Sequence, residues 1–221
     1  MGVLATDFAA EREAMVERQL RRRGISDPRI LDAFRSVPRE AFVDASHAHL
    51  AYGDHPLPIA AGQTVSQPYI VALMIDAADV RRGDRVLEVG SGSGYAAAVI
   101  GRIAGHVVGV ERQPALVEES RERLARLGVG NVEIVEADGT VGWRPLSPYD
   151  AILVSASGSH VPDALVEQLA PGGRLVMPVG AVHDVQRLVM VRRREADSVE
   201  RSDLGAVRFV PLIGQEGWKH D

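Results

Sequence analysis

The segment from Glu88 to Gly94 combines a carboxylate with three alternating glycines, and these residue types suggest a binding site for a small ligand. Gly90, Gly92 and Gly94 follow the acidic residue at every second position. Glycine permits a tight turn and lets a ligand lie against the backbone. The apolar residues around Glu88 predict a short buried strand. The carboxylate would therefore project from a strand end into the crevice where open α/β sheets bind ligands.

The spacing of these glycines distinguishes two classes of cofactor. A dinucleotide-binding G-x-G-x-x-G loop would need a glycine at position 95, which is Tyr95. The pattern E-x-G-x-G-x-G instead resembles motif I of the S-adenosylmethionine (SAM) methyltransferases. SAM has no pyrophosphate but carries a sulfonium cation and an amino-acid end, which a carboxylate and open backbone groups suit. The loop therefore predicts SAM as the cofactor.

Acidic residues also follow the next two predicted strands. Glu111 ends the strand at 106–110, about 20 residues after the glycine turn, where it is placed to accept hydrogen bonds from ribose hydroxyls. Asp138 and Gly139 follow the strand at 132–136 and suit the edge of an adenine. The complete set of predicted cofactor residues is Thr64, Glu88, Gly90, Ser91, Gly92, Gly94, Glu111, Arg112, Asp138 and Gly139.

Composition excludes several other functions. The 221 residues carry a net charge of −5, which argues against a nucleic acid as the main partner. The absence of cysteine excludes disulfides, thiolate zinc sites and cysteine nucleophiles. His47 and His49 would point to different faces of a helix, so no metal site is expected. No apolar run approaches the ~18 residues of a membrane span, and no signal segment is evident, so we expect a cytoplasmic protein without a membrane partner.

Regular alternation of strand and helix patterns begins at residue 85 and predicts a parallel sheet with right-handed crossovers. Strands are expected near 85–89, 106–110, 132–136, 150–155 and 173–178, with helices at 94–104, 114–127 and 162–170 between them. Helices are also predicted at 7–23, 28–36 and 68–78. The runs 186–194 and 207–212 have no helix between them and predict antiparallel edge strands, and an extended peptide could pair along 207–212.

These elements predict an α/β, Rossmann-like SAM-dependent methyltransferase fold. Its sheet would be mostly parallel, with helices on both faces, an antiparallel C-terminal edge and additional N-terminal helices. A single domain is expected over 1–221, with N-terminal helices and a substrate loop at 1–79, the SAM-binding core at 80–180 and the antiparallel strands at 181–221. The connection 50–67 is too long and too apolar for a simple linker, which favours a functional loop.

Several further motifs make the resemblance specific. They are P-R-E-A-F-V at 38–43, L-P-I at 57–59, G-Q-T-V-S-Q-P-Y at 62–69, Y-D-A-I-L-V at 149–154, L-A-P-G-G-R-L-V at 169–176 and F-V-P-L at 209–212. Together with the glycine loop they resemble the protein-L-isoaspartate O-methyltransferase family over residues 10–218. The G-Q-T-V-S-Q-P-Y motif is distinctive of that family.

The resemblance implies methyl transfer from SAM to the free α-carboxylate of isoaspartyl residues in damaged proteins, as the first step of repair through a succinimide. It also implies that Ser66 is the active-site residue. An α-carboxyl has a pKa of about 3.3–3.7, so the acceptor is anionic at pH 7 and needs no general base. The alternative reading of Ser66 is a cap for the helix that begins at Pro68.

Other assignments stay open in the sequence. His55, Ser155 and His160 are candidate substrate residues, and the enzyme is expected to be a monomer. Ala60 replaces the glycine that the family usually has after L-P-I, and the run Ser155 to Gly158 departs from the family pattern, so both affect the expected substrate breadth. Alternative functions are a SAM-dependent carboxyl methyltransferase for a small molecule or a maturing peptide, and a non-catalytic SAM-binding module.

Overall fold

A computed structural model of the chain describes residues 7–182, 184–194 and 198–219, so the two ends of the predicted 1–221 domain lie outside the described residues. The α-helices are Phe8–Met15 (α1), Pro28–Ser36 (α2), Pro68–Ala78 (α3), Tyr95–Gly101 (α4), Pro114–Arg126 (α5) and Asp163–Glu167 (α6). The strands are Leu57–Pro58 (β1), Thr64–Val65 (β2), Arg85–Val89 (β3), His106–Glu111 (β4), Val132–Glu136 (β5), Tyr149–Val154 (β6), Leu169–Val179 (β7), Gln186–Arg193 (β8) and Val199–Val207 (β9).

The main sheet has the strand order β5-β4-β3-β6-β7-β8-β9. Strands β3 to β7 pair in parallel, whereas β8 is antiparallel to β7 and β9 is antiparallel to β8. The order reverses at β3, which lies between β4 and β6. Because ligands of open α/β sheets bind at such a switch point, beyond the carboxyl ends of the strands, this edge positions the site. The predicted fold class is confirmed.

Helices on the N-terminal side form as predicted, for local reasons. The Asp27 side chain accepts a hydrogen bond from Arg29 N (2.8 Å) and Pro28 occupies the first turn of α2, where its missing N–H costs little. The predicted helix 7–23 is helical from residue 8 to 23, although it passes from α1 into a π-helix at Val16–Leu20 and a 3-10 turn at Arg21–Arg23. Gly24 ends it in the left-handed conformation (φ 102°).

Two predictions near the C-terminus are wrong. The edge strand is β9, at Val199–Val207, and the run 207–212 instead crosses the end of the sheet, where Leu212 N donates to the Ser157 carbonyl at 2.8 Å. Peptide pairing along 207–212 as an edge strand is therefore excluded. The helix predicted at 162–170 is shorter, because the chain enters β7 at Leu169, where it pairs with Tyr149.

The connection 50–67 has regular structure of its own. Strands β1 and β2 pair antiparallel around a 3-10 turn at Ala60–Gly62. Leu57 and Val65 are buried and join the core formed by the N-terminal helices and α3. We call residues 50–67 the acceptor loop. No helix within the described ranges is long and apolar enough to cross a bilayer.

Candidate active site

The glycine loop turns sharply at the end of β3. Gly90, Gly92 and Gly94 all have left-handed φ values, of 78°, 52° and 85°, which side chains with a Cβ rarely adopt. Gly90 N donates to the Val110 carbonyl at 2.8 Å, and this bond ties the loop to β4. A Cβ on Gly92 would lie 3.4 Å from Ile59 Cδ1. The loop is therefore held against both the sheet and the acceptor loop.

Glu111 organises the glycine loop from the end of β4. Its Oε2 accepts from Gly92 N at 3.0 Å, and its Oε1 accepts from the backbone N atoms of Arg112 (2.8 Å) and Gln113 (2.9 Å). A carboxylate oxygen can accept about two hydrogen bonds, so Oε2 retains capacity for a further donor. Glu111 also lines the cleft above the sheet. Its position is therefore suited to a ribose hydroxyl, as the sequence predicts.

Glu88 lies below the loop and is buried. Its Oε1 accepts from the Ser155 hydroxyl at 3.4 Å, and the backbone N–H of Ala97 is near the carboxylate, but Oε2 makes no hydrogen bond of normal geometry with the described residues. Burial raises the pKa of Glu88 to about 8, and the nearby Glu111 charge adds to the effect. A cation beside a buried carboxylate favours its ionised form. A positively charged group of a ligand would therefore pair with the Glu88 carboxylate and stabilise its ionised form.

The unpaired polar groups that line the cleft fit a polar ligand such as SAM. Glu88 Oε2, the Ser91 hydroxyl and the Tyr95 hydroxyl are buried without partners in the described part of the chain, and all three residues line the cleft. Buried polar groups normally find a partner, so such a set indicates a bound polar molecule. Gly92 and Arg112 also line it, as do Thr64, Gly90 and Gly139. Gly94 lies at the N-terminus of α4, behind the lining.

Asp138 has a different position from the one its sequence context suggests. Its Oδ1 accepts from Thr140 N (2.9 Å) and the Thr140 hydroxyl (2.7 Å), and its Oδ2 accepts from Gln215 N (2.7 Å). Burial would raise the pKa of Asp138, but these hydrogen bonds outweigh it and lower the pKa. The Asp138 side chain is not part of the cleft lining, which Gly139 reaches instead. It clamps residues 214–216 beside the cleft, and its adenine contact stays a prediction.

Ser66 lies where two clefts meet. The first is the cofactor cleft, and the second lies between the acceptor loop, including Gln67, and residues further along the chain that include Gln186 and Phe209. The residues that line both are Thr64, Ser66, Ser155, Val210 and Pro211. The N-cap of α3 is Gln67, without a side-chain hydrogen bond, so the alternative reading of Ser66 as the helix cap is wrong. The Ser66 hydroxyl has no hydrogen-bond partner among the described residues.

Of the three predicted substrate residues, the structure brings only Ser155 to this junction. His55 is exposed, its ring nitrogen Nδ1 lies 3.0 Å from the Pro56 carbonyl, and it lines neither cleft. His160 is exposed beside Ser159 and also lines neither cleft. Within the described ranges no group of three or more His, Cys, Asp or Glu side chains is placed to hold a metal ion.

Sequence reasoning missed several residues that hold the acceptor loop. Arg23 pairs with Asp54 at 2.6 Å and stacks on the Tyr69 ring, with its guanidinium carbon 3.4 Å from the centroid. Gln19 Nε2 donates to the Tyr52 carbonyl at 2.7 Å. Arg39 is buried under the loop. These residues precede the loop in sequence, in helical segments. Only the packing of those segments against the loop, which no local sequence pattern shows, reveals their role.

A parallel sheet with an E-x-G-x-G-x-G loop at its switch point, and with unpaired acceptors and donors facing the cleft above it, defines a SAM-dependent methyltransferase. Comparison with known proteins makes the class specific. The family model described as protein-L-isoaspartate(D-aspartate) O-methyltransferase (PCMT) matches residues 10–217, and the chain belongs to this family. Its methyl donor is therefore SAM.

Curated relatives and solved structures agree with the family assignment. The chain is 56% identical to protein-L-isoaspartate O-methyltransferase 1 of Rhodopseudomonas palustris strain HaA2, over 97% of this chain and 87% of that protein. It is 53% identical to the Methanoculleus marisnigri protein-L-isoaspartate O-methyltransferase, over 95% and 94% respectively. A Plasmodium falciparum PCMT structure in complex with S-adenosyl-L-homocysteine has a TM-score of 0.78 and 28% identity, covering 93% of this chain and 99% of that one.

A second solved structure, a protein-L-isoaspartate O-methyltransferase, superposes with a TM-score of 0.82 and 31% identity. The superposed region covers 93% of this chain but only 66% of the longer solved chain. The fold described above is therefore the shared part of the two proteins.

Proposed function

We propose that the chain transfers the methyl group of SAM to the free α-carboxylate of isoaspartyl residues in damaged proteins. The methyl ester then collapses to a succinimide, whose hydrolysis returns some normal aspartate. The observation that carries this proposal is the shared wall of Thr64, Ser66 and Ser155, which joins a cofactor cleft to a second, open cleft. A long acceptor such as a peptide can lie in the second cleft while its carboxylate reaches the first.

The chemistry of the shared wall fits a carboxylate acceptor. When bound, SAM supplies a methyl group on a sulfonium, which passes to a carboxylate oxygen as the carbon–sulfur bond breaks. The acceptor is already anionic at pH 7, so no proton has to be removed. Among the described residues, the side chains shared by the two linings include hydroxyls but no histidine or carboxylate. Their contribution is alignment in a site shielded from water, and orientation of this kind can supply roughly 7–11 kcal/mol.

Ser66 is the proposed catalytic residue because its hydroxyl is available at the junction. A hydroxyl can donate one hydrogen bond to an acceptor oxygen without competing for a proton. The N-terminus of α3 begins two residues later and contributes partial positive charge near the same place. We infer that Ser66 orients the carboxylate, while Ser155, whose hydroxyl donates to Glu88 Oε1, also lines the junction.

The remaining assignments concern SAM. Glu111 would accept from the ribose, and Glu88 with Ser91 would hold the charged amino-acid end. The backbone at Gly90 and Gly92, with Thr64 and Arg112, would complete the cofactor site, and Gly94 would shape the turn. Gly139 would approach the adenine, with Asp138 acting behind it. These residue roles are supported by the cleft lining and by the unpaired buried atoms.

Paired peptides that differ only in an aspartyl or isoaspartyl linkage test the function directly. With labelled SAM, we expect base-labile label on the isoaspartyl peptide alone. Label on neither peptide would reject the proposal and would favour a small-molecule or maturing-peptide acceptor. SAM binding without transfer to any carboxylate would instead indicate a non-catalytic module.

We also propose that residues 1–221 form one domain and that the protein acts as a monomer in the cytoplasm, without a nucleic-acid or membrane partner. A net charge of −5 supports the absence of a nucleic-acid partner. Sedimentation equilibrium across a hundredfold concentration range tests the oligomeric state. A mass that increases with concentration would reject the monomer.

A further inference from the structure

The Arg39 side chain is fully buried and pairs with no carboxylate among the described residues. Its relative exposure is 0%, and its hydrogen-bond acceptors are backbone carbonyls. Nη1 donates to the Ala51 carbonyl, and Nη2 donates to the carbonyls of His55 (3.2 Å) and Ser66 (3.0 Å). One guanidinium therefore joins the first part of the acceptor loop to the proposed catalytic residue near its end.

The same side chain also contacts the cofactor side of the site. Its guanidinium carbon lies 5.7 Å from the centroid of the Tyr95 ring, within the range of a cation–π interaction. Tyr95 follows Gly94 directly and lines the cofactor cleft. Edge-on contacts with Phe34 (6.2 Å) and Phe42 (5.6 Å) fix the ring in place. Arg39 thus touches both the acceptor loop and the residue that ends the glycine loop.

Burying a guanidinium without a counter-charge is costly, and an apolar side chain would fill the same space without that cost. The Tyr95 contact and the planar donors of the guanidinium offset this cost, although Nε has no partner among the described residues, and the donors fix the geometry of three carbonyls at once. We propose that Arg39 is a positioning residue for methyl transfer, which holds the Ser66 backbone at a set distance from the cofactor loop. This inference rests on the proposed function, because it assigns Arg39 a part in that reaction.

The test compares Arg39→Gln and Arg39→Lys with the wild type in peptide kinetics and SAM calorimetry. A misplacement of about 1 Å can cost roughly 100-fold in rate, so we expect kcat/KM for the isoaspartyl peptide to decrease about 30- to 100-fold in Arg39→Gln. The SAM dissociation constant should change less than about threefold, because the cofactor loop keeps its own contacts. Arg39→Lys should recover part of the loss, since it retains a cation and hydrogen-bond donors.

Arg193→Gln is the matched control. Arg193 Nη1 also donates to backbone carbonyls, of Glu167 (3.1 Å) and Leu169 (2.7 Å), but at the opposite end of the sheet. The Arg193→Gln substitution should lower the melting temperature. It should not reduce kcat/KM for the peptide more than it weakens SAM affinity. All assays are run well below the melting temperature of each variant.

Three results would overturn the inference. They are unchanged peptide kinetics in a folded Arg39 variant, a loss of SAM affinity as large as the loss of peptide turnover, and failure of both variants to fold, which would make Arg39 purely structural. If the wild type does not methylate the isoaspartyl peptide, the proposed function fails separately. Hydrogen exchange of the Arg39 variants then decides: faster exchange confined to residues 51–66 supports the anchoring role, and unchanged exchange rejects it.

Discussion

The cofactor loop and the acceptor loop are neighbours in space but are held in different ways. The cofactor loop is held by the next strand of the sheet, since Glu111 at the end of β4 accepts from the backbone N atoms of Gly92, Arg112 and Gln113. The acceptor loop is held by side chains from preceding helices, including Gln19, Arg23 and Arg39. The methyl donor therefore binds a surface set by the ends of the parallel strands, whereas the acceptor meets a surface set by side chains from outside the sheet.

Removing Glu111 should give the largest effect on the cofactor side. Glu111→Ala leaves three backbone N–H groups without an acceptor and removes the proposed ribose contact. Hydrogen bonds to charged groups contribute about 1.5–3 kcal/mol each, so we expect SAM affinity to weaken about 100-fold in calorimetry, with a lower melting temperature.

Glu136→Ala is the control for this experiment, because Glu136 pairs with Glu111 in the sheet register but is exposed at the end of β5. It should bind SAM normally. Unchanged SAM binding in Glu111→Ala would reject the ribose assignment.

Ser66→Ala should affect the acceptor side instead. Loss of one donor to the carboxylate should lower kcat about tenfold, with SAM affinity within about twofold, as measured by peptide methylation and calorimetry. Ser36→Ala, which removes a hydroxyl bonded to the Ala33 carbonyl in α2, serves as the control. An unaltered rate in Ser66→Ala would remove Ser66 from the catalytic assignment.

The buried Glu88 predicts how stability depends on pH. Its pKa rises from an ordinary value of 4.5 to about 8 in the folded protein, mainly because of burial. Between these values the folded protein keeps a proton that the unfolded chain has released. The free energy of unfolding should therefore decrease as pH rises through this window, by up to about 1.4 kcal/mol per unit, and level off above pH 8.

Urea unfolding of the SAM-free protein at pH 5.5, 7 and 8.5 measures this dependence. Glu88→Gln, which is neutral throughout, should show a flatter profile. The same slope in both proteins would mean that Glu88 is ionised in the folded state.

Asp138→Ala should have the smallest effect on SAM affinity. It tests whether the Asp138 side chain contacts the cofactor directly or only holds the neighbouring segment. Because its carboxylate binds Thr140 and Gln215 and does not line the cleft, we expect SAM affinity to weaken only about three- to fivefold, through loosening of residues 212–218. Calorimetry with hydrogen exchange of that segment measures both effects. A loss as large as that of Glu111→Ala would show that Asp138 contacts the cofactor directly.

The difference between the two loops also explains what could be predicted from the sequence. Gly90, Gly92 and Gly94 were predictable because their conformation is a local property, and Glu111 because it follows a strand of known direction. The Arg39 contacts were not, because they join a short 3-10 helix to a loop, both outside the regular alternation of strands and helices, and the P-R-E motif carries no sign of burial. The Asp138 side chain binds a segment 77 residues away, which local patterns do not reveal.

The misplaced edge strand has a similar cause. The run 207–212 is mostly apolar and has the pattern of a strand, but Pro211 has no N–H for a ladder, and Phe209, Val210 and Leu212 instead pack against the core clusters. The true edge strand β9 is mostly polar, with charged residues Glu200, Arg201 and Asp203. The strand is polar because it is exposed at the edge of the sheet. Its composition therefore resembles that of a loop, and the sequence does not identify it as a strand.

That polar edge has a consequence for a protein of a family that acts on isoaspartyl-containing proteins. An open strand edge can recruit an extended chain and seed aggregation. On β9 the exposed charges discourage such pairing, and the register shift opposite Leu188 and Val189 interrupts the ladder near Gly205. We expect client chains to enter the acceptor cleft without adding to the sheet, so that the enzyme releases them instead of co-aggregating with them.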